Sequence, residues 1–255
     1  MERCFEKMKL KYGGIRLKEN PLIKSKERVR EHGEVFTPQW VVDKMLNQPG
    51  IKEATENLQA TFLEPAAGEG AFLVEILNRR LNLAQQISHS INEYEENALI
   101  GLSTLYGIEL LEDNVEMLVM NMMSEFERHY YQVIQDYSAS YNKKVFQSAK
   151  VIISANMVQG DALTRQTADN TPIIFSEWKL LPKKHGKRRV QRLEFTFDAI
   201  IEQGDANQTV SQMPEDEQLD LFAIFSDEQP EEESQLRYKE VNLLDVGQQI
   251  VEEVE

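Results

Sequence analysis

Apolar positions fall into two rhythms along this chain. Short apolar runs read as strands, and between them apolar residues recur every three or four positions, as on one face of a helix. Thr61-Phe62-Leu63-Glu64 predicts a first strand, followed by a Pro/Gly turn and a helix from Ala71 to about Leu83. Residues 84–103 are rich in Asn, Ser and Glu and read as a loop with some helix. Leu105-Tyr106-Gly107-Ile108-Glu109 predicts a second strand, followed by a long helix from about Asp113 to Tyr137. Val151-Ile152-Ile153 reads as part of a third strand or its approach, and residues 156–161 as the loop that ends that unit. Residues 173–178 and 190–196 flank Pro182 to Lys187 and predict a hairpin with a basic tip. Phe197-Asp198-Ala199-Ile200-Ile201 reads as a buried fourth strand. Near the start, some helix is expected from Ser25 to His32. A second helix runs to about Leu46, with Thr37 suited to the N-cap and Pro38 to the first helical position. Strands alternating with helices predict an α/β fold with a mostly parallel sheet, which binds ligands at the carboxyl ends of its strands.

Charge changes this picture once it is located. The 255 residues carry a formal net charge of −15, but residues 202–255 alone hold 16 acidic and 2 basic side chains. Residues 1–30 hold 10 Lys/Arg against 4 Asp/Glu, so a basic arm (1–30) and a central domain (31–201) precede an acidic tail (202–255). The tail is expected to be mostly disordered or to fold on a partner. It retains one apolar patch, Leu219 to Phe225, and an amphipathic stretch from Val241 to Val254. No run approaches 18 apolar residues, which excludes a spanning helix, and the N-terminus shows no secretory apolar region. Cys4 is the lone cysteine, so neither an intrachain disulfide nor a cysteine-based zinc site is possible, and a reducing cytoplasmic location is expected. The four histidines show no ligand spacing.

The strongest chemical signal is Phe62-Leu63-Glu64-Pro65-Ala66-Ala67-Gly68-Glu69-Gly70-Ala71-Phe72, a strand entering a glycine turn that opens a helix. Glycines let backbone approach a ligand, and a helix start offers unpaired N–H groups. The acids Glu64 and Glu69 would repel a pyrophosphate but suit a cation, such as a sulfonium with an amino-acid tail. A generic strand–turn–helix joint would look the same.

This segment resembles the S-adenosylmethionine motif of the adenine-N6 DNA methyltransferases of restriction–modification systems. Gly33-Glu34-Val35-Phe36-Thr37-Pro38 is similar to the N-terminal cofactor motif of the subgroup that places that motif first. Tyr106-Gly107-Ile108-Glu109 matches the second motif, and Asn156 to Leu163 is similar to the third. The resemblance covers roughly residues 30–201 and implies a Rossmann-like methyltransferase fold. It implies a cofactor site formed by Thr37, Pro38, Glu64, Pro65, Ala66, Gly68, Gly70, Glu109 and Asp161. Glu109 would take the ribose hydroxyls and Asp161 the adenine amino group, which is a donor. Taken alone, Thr37 is a helix cap, Glu109 a helix-start acid and Asp161 a turn residue.

The family's catalytic motif, Asn/Asp/Ser-Pro-Pro-Tyr/Phe after the fourth strand, is absent: Glu202-Gln203-Gly204-Asp205-Ala206 stands there, and no Pro-Pro pair occurs anywhere in the chain. The target-recognition region is missing too, so the sheet is expected to be incomplete, with an apolar edge covered by Leu219 to Phe225 or by another chain. Methyl transfer to adenine in DNA would then need a protein partner supplying the catalytic half and target recognition. The alternative is an inactive cofactor-binding subunit with a regulatory or DNA-binding role. DNA contacts are expected at Lys183, Lys184, Lys187, Arg188 and Arg189 of the hairpin tip, which equally reads as a solvated turn.

Overall fold

The computed structural model describes residues 24–32, 35–203 and 236–253. The chain divides into two compact units, residues 1–41 and 42–255, each described by itself. In the first, α1 (Lys26–His32) is capped by Ser25, whose Oγ accepts the Arg28 N–H at 3.2 Å. The Lys24 ammonium lies 5.9 Å from the centroid of Phe36. The next helix, α2 (Gln39–Leu46), starts one residue later than its Pro38 predicts, with the Pro38 carbonyl accepting the Val41 N–H at 2.9 Å. Most of the basic arm and the patch Leu219 to Phe225 lie outside the described residues.

The second unit begins with α3 (Ile51–Thr55) and β1 (Phe62–Glu64). There follow α4 (Ala71–Ile87), α5 (Ile91–Leu102), β2 (Leu105–Glu109), α6 (Glu112–Asp136), α7 (Lys143–Asn156) and β3 (Met157–Gln159). Strands β1, β2 and β3 form a parallel sheet in that order, with Phe62 opposite Leu105 and Gly107 opposite Met157. Side chains alternate across the sheet. Leu105 and Met157 face the main core with Leu73, Leu118, Phe126 and Ile152. Gly107 shares that face because a Cβ there would stand 2.9 Å from Leu73 Cδ1 and 3.1 Å from Met157 Sδ. Tyr106, Ile108 and Val158 face a second cluster with Ile173, Phe175 and Phe197.

That cluster is built by a long hairpin, β4 (Ile174–Lys184) and β5 (Lys187–Thr196), and by α8 (Phe197–Gln203). The Tyr106 hydroxyl donates to the Ser176 carbonyl at 3.1 Å, and its ring meets Phe175 edge-on at 5.4 Å. The hairpin turns at His185 and Gly186, both at positive φ (52° and 77°), the combination that matches strand twist.

Four expectations are corrected. Phe197 to Ile201 is not a fourth strand but the start of α8: Thr196 Oγ accepts the Ala199 N–H at 3.2 Å, and Phe197 and Ile200 fall on one helical face toward the second cluster. Val151 to Ile153 lies inside α7, where Val145, Ala149, Ile152 and Asn156 recur at helical spacing along the buried side. Residues 91–102 are a full helix, because Ser90 caps Glu93 N–H at 3.3 Å and Glu93 Oε2 accepts His89 N–H at 2.7 Å. Residues 157–159, read as part of a loop, are β3 of the wholly parallel sheet, while the antiparallel strands form sheets of their own.

The tail expectation is corrected in part. Residues 236–253 are ordered as β6 (Leu236–Tyr238), β7 (Val241–Asn242), a 3-10 helix (Leu243–Gln248) and β8 (Val251–Glu253). Leu243 and Val246 are buried in the main core. Gly247 packs on α7 where a Cβ would lie 2.9 Å from the Gln147 carbonyl carbon, and its N–H donates to Ser148 Oγ at 3.0 Å. Arg192 clamps the segment, its guanidinium 5.4 Å from the Trp178 centroid and 4.2 Å from that of Tyr238.

A polar network crosses the helical core. His129 is buried between the Tyr94 hydroxyl (3.0 Å to Nδ1) and Asn82 Oδ1 (3.2 Å from Nε2). Asn82 Nδ2 donates to Asn78, so its oxygen faces His129, which places the imidazole proton on Nε2 and makes Nδ1 the acceptor for Tyr94. Burial holds the His129 pKa below its ordinary value. As pH falls below about 6.5 the unfolded chain therefore binds a proton that the folded chain refuses, and stability declines. Urea unfolding from pH 7.5 to 5 is expected to show this loss, and His129→Gln to flatten that part of the profile. An unchanged slope in the variant would refute the assignment.

Candidate functional site

The carboxyl ends of β1, β2 and β3 lie side by side and bring together Glu64, Glu109 and the loop that begins at Gly160. Residues 65–70 cross from β1 to α4 over the end of β2. Gly68 and Gly70 sit at φ +54° and +90°, a region that suits residues without Cβ. A Cβ on Gly70 would stand 2.5 Å from Leu118 Cδ1. The loop is pinned from below: Ala67 N–H donates to the Ile108 carbonyl at 2.9 Å, and Gly70 N–H to the Ala67 carbonyl at 2.8 Å. From α6, Asn121 Nδ2 donates to the Glu69 carbonyl at 2.9 Å. The first helical hydrogen bond of α4 runs from Val74 N–H to the Gly70 carbonyl at 2.8 Å, leaving the preceding N–H groups of the helix start as donors.

Glu109 is the hub. It is buried at the end of β2, and its Oε2 accepts the Gly68 N–H at 2.8 Å. Its Oε1 accepts the Leu111 N–H at 3.1 Å and Asn114 Nδ2 at 3.2 Å. The Glu109 carbonyl accepts the Gly160 N–H at 3.0 Å, which carries the chain from β3 to Asp161. Asp161 Oδ1 accepts the Leu163 N–H at 2.8 Å, and its carbonyl accepts Arg165 N–H at 2.7 Å, with Arg165 at φ +61°. Asp161 Oδ2 takes no hydrogen bond from the described residues.

Glu64, Glu69, Glu109 and Asp161 stand with Glu112 and Asp113 in the first turn of α6. Burial pushes the Glu64 carboxyl above its ordinary value, and it forms no ion pair among the described residues. Beside these acids two apolar side chains are left in solvent: Leu163 is 93% exposed and Leu110 is 51% exposed. Acids that favour a cation, helix-start N–H groups for a carboxylate and apolar side chains for a flat ring form a donor set that fits S-adenosylmethionine.

The structure therefore brings together Glu64, Pro65, Ala66, Gly68, Gly70, Glu109 and Asp161. Thr37 and Pro38 belong to the first unit and are described apart from these. Sequence reasoning missed Asn114 and Asn121, which act on the loop and on Glu109 from α6. An asparagine five residues after the strand-end acid was the available signal.

Two features shape what the site lacks. The segment expected as the fourth strand is held as α8, with Asp198 and Glu202 paired to Arg165 at 2.8 and 3.4 Å. The other edge of the sheet is β1. Phe62 N–H points toward β2, donating to the Thr104 carbonyl at 3.0 Å, so the peptide groups of Leu63 point away from the sheet. No described strand pairs there, and Leu63 is 40% exposed.

The hairpin tip is built differently from a free basic loop. Glu96 of α5 accepts Lys183 Nζ at 2.9 Å and the Arg188 N–H at 2.8 Å. Arg189 pairs with Glu240 of the C-terminal segment. Burial raises the Asp245 carboxyl, but hydrogen bonds from Lys144 and Asn242, with the nearby Lys187, outweigh it and hold it below the ordinary aspartate value. Lys184 is exposed, with no ion pair among the described residues. These acids explain part of the tip's basic character as docking for α5 and the C-terminal segment.

Among the described residues no helix is long and apolar enough to cross a membrane, and no cluster of His, Cys, Asp or Glu could hold a metal ion. A family model described as N-6 DNA methylase matches residues 22–188. No curated protein and no solved structure matches the chain.

Proposed function

The chain belongs to the N-6 DNA methylase family, whose substrate is DNA, and from that premise we propose that it binds S-adenosylmethionine at the carboxyl ends of β1 to β3. The observation that carries this reading is the glycine loop latched onto the buried Glu109 through Gly68 N–H. When bound, the cofactor supplies an activated methyl group. Glu109 accepts a hydrogen bond from the ribose, and Oδ2 of Asp161 accepts one from the adenine amino group. The helix-start N–H groups of α4 face the methionine carboxylate, and Glu64 offsets the positive charge of the sulfonium and ammonium. Gly68 and Gly70 keep the backbone clear for close approach, and Leu110 and Leu163 offer apolar contact for the adenine ring.

Methyl transfer to adenine N6 needs groups that hold the amino nitrogen and stack on the flipped base. No such motif follows β5, and α8 stands where the fourth strand that would carry it was expected. The reaction therefore proceeds with a partner chain that brings the catalytic half and target recognition, in keeping with a restriction–modification system. The edge of β1, which no described strand covers and which lies beside the cofactor loop, supports this reading. The hairpin contributes phosphate contacts, led by Lys184 and with Lys183, Lys187, Arg188 and Arg189 beside it. The absence of a catalytic motif equally favours a second reading, a cofactor-binding regulatory subunit that never methylates. A methylation assay with and without candidate partner chains separates the two.

Calorimetry with S-adenosylmethionine tests the common premise. Wild type is expected to bind, and Asp161→Ala to lose about tenfold or more in affinity while keeping its unfolding midpoint, since the lost hydrogen bonds are to a charged acceptor. Wild type that fails to bind would sink both readings.

A further inference from the structure

The buried Glu109 carboxylate has acceptor room for about four hydrogen bonds, two on each oxygen. The protein fills it unevenly. Both sites on Oε1 are taken, by Leu111 N–H at 3.1 Å and Asn114 Nδ2 at 3.2 Å, while among the described residues Oε2 holds only Gly68 N–H at 2.8 Å. The Leu111 contact is local backbone, two residues away, and follows from the turn into α6. The Asn114 contact is a side chain's choice. Asn114 is itself buried in the first turn of α6, and its N–H closes on the Leu111 carbonyl at 3.1 Å, so its amide reaches Glu109 from a fixed base.

We infer that Asn114 is a positioning residue for ligand recognition: it ties down Oε1 and thereby turns Oε2, on the side of the glycine loop, toward the ribose of an adenosyl ligand. This rests on the cofactor reading above and names the residue that sets its geometry. The acceptor site that remains, on Oε2 next to Gly68 N–H, then takes one hydroxyl of the vicinal diol. Without Asn114 the carboxylate is held only by the Leu111 and Gly68 N–H groups among the described residues, gains latitude about its broad terminal torsion, and the gain from the ribose falls. The same replacement leaves contacts to the adenine and to the methionine tail in place, since these come from β3 and α4.

A cycle between residue and ligand separates this from a merely structural role. Adenosine and 2′,3′-dideoxyadenosine are used as probes, each read by displacement of S-adenosylmethionine in calorimetry. Wild type is expected to prefer adenosine by roughly tenfold. Asn114→Ala is expected to erase most of that preference while binding the dideoxy probe within about twofold of wild type. Equal losses for both probes, or an intact preference, would overturn the inference. Asn114→Asp supplies a second test that survives a folding defect in the first variant. Its introduced carboxyl donates to Oε1 only when protonated, so the preference should appear as pH is lowered and fade as pH rises. A preference independent of pH in that variant counts against the inference. If wild type binds S-adenosylmethionine yet shows no preference between the probes, Glu109 does not meet the ribose and the inference fails while the cofactor site stands. If wild type binds neither cofactor nor probe, the cofactor reading itself falls.

Discussion

Glu109→Ala is expected to abolish measurable binding of S-adenosylmethionine and to loosen the loop that carries Gly68 and Gly70. Glu109 joins three parts of the site: the glycine loop through Gly68 N–H at 2.8 Å, the start of α6 through Leu111 and Asn114, and the β3 end through its carbonyl and Gly160 N–H at 3.0 Å. Removing the carboxylate leaves buried donors without an acceptor. Hydrogen bonds to charged groups contribute about 1.5–3 kcal/mol each, so loss of the ribose contact alone corresponds to about tenfold or more in affinity, and the loosened glycine loop adds to it. The fold should lose on the order of 2–4 kcal/mol, because Gly68, Leu111 and Asn114 are left partly unsatisfied while the backbone link to Gly160 survives. Calorimetry on the folded variant and urea unfolding measure the two effects separately. Wild-type affinity in Glu109→Ala would show that the strand ends are not the cofactor site.

The largest effect on stability is expected at Arg80. Its side chain is 1% exposed, in the middle of α4, and no carboxylate among the described residues pairs with it. Instead it donates to the Gly101 carbonyl at 2.9 Å and to Thr104 Oγ1 and the Ala60 carbonyl, and its guanidinium lies 5.1 Å from the Phe62 centroid. One side chain thus ties α4 to the end of α5 and to the approaches of β1 and β2. Burial pulls its pKa down to about 10, which is the cost of holding this cation away from water. Arg80→Ala opens a cavity and orphans these acceptors, and should cost about 3–5 kcal/mol. Arg80→Met restores volume but not donors and should recover only part. Urea unfolding checks both. A loss under about 1 kcal/mol in Arg80→Ala would show that the acceptors find other partners.

Wherever local chemistry dictates structure, the sequence was enough. Pro65 to Gly70 reads as a ligand loop because a strand, two glycines and an apolar helix can be joined there in few other ways, and both glycines indeed sit at positive φ. Leu105 to Glu109 reads as a strand because it is short, apolar and followed by a helix start rich in acids. The hairpin is legible from its basic turn. Family membership follows from several such motifs in order.

Tertiary structure decided the rest. Phe197-Asp198-Ala199-Ile200-Ile201 suits a strand or a helix equally, since a run of five apolar-rich residues is too short for its period to choose. The second cluster chose helix, by offering Ile108, Ile173 and Phe175 to Phe197 and Ile200, and Arg165 to Asp198 and Glu202. Residues 236–253 look like a solvated acidic tail until Leu243 and Val246 find the main core and Gly247 finds α7. Asn114 gains its meaning only from the fold, which sets its amide 3.2 Å from Glu109. By itself the sequence determined the family, the glycine loop and the acids at the strand ends, because each rests on a few adjacent residues. Only the tertiary structure decided that the described strands of the parallel sheet stop at β1, and which oxygen of Glu109 has acceptor room left by the described residues. Both depend on groups that are far apart in the chain and meet only when it is packed.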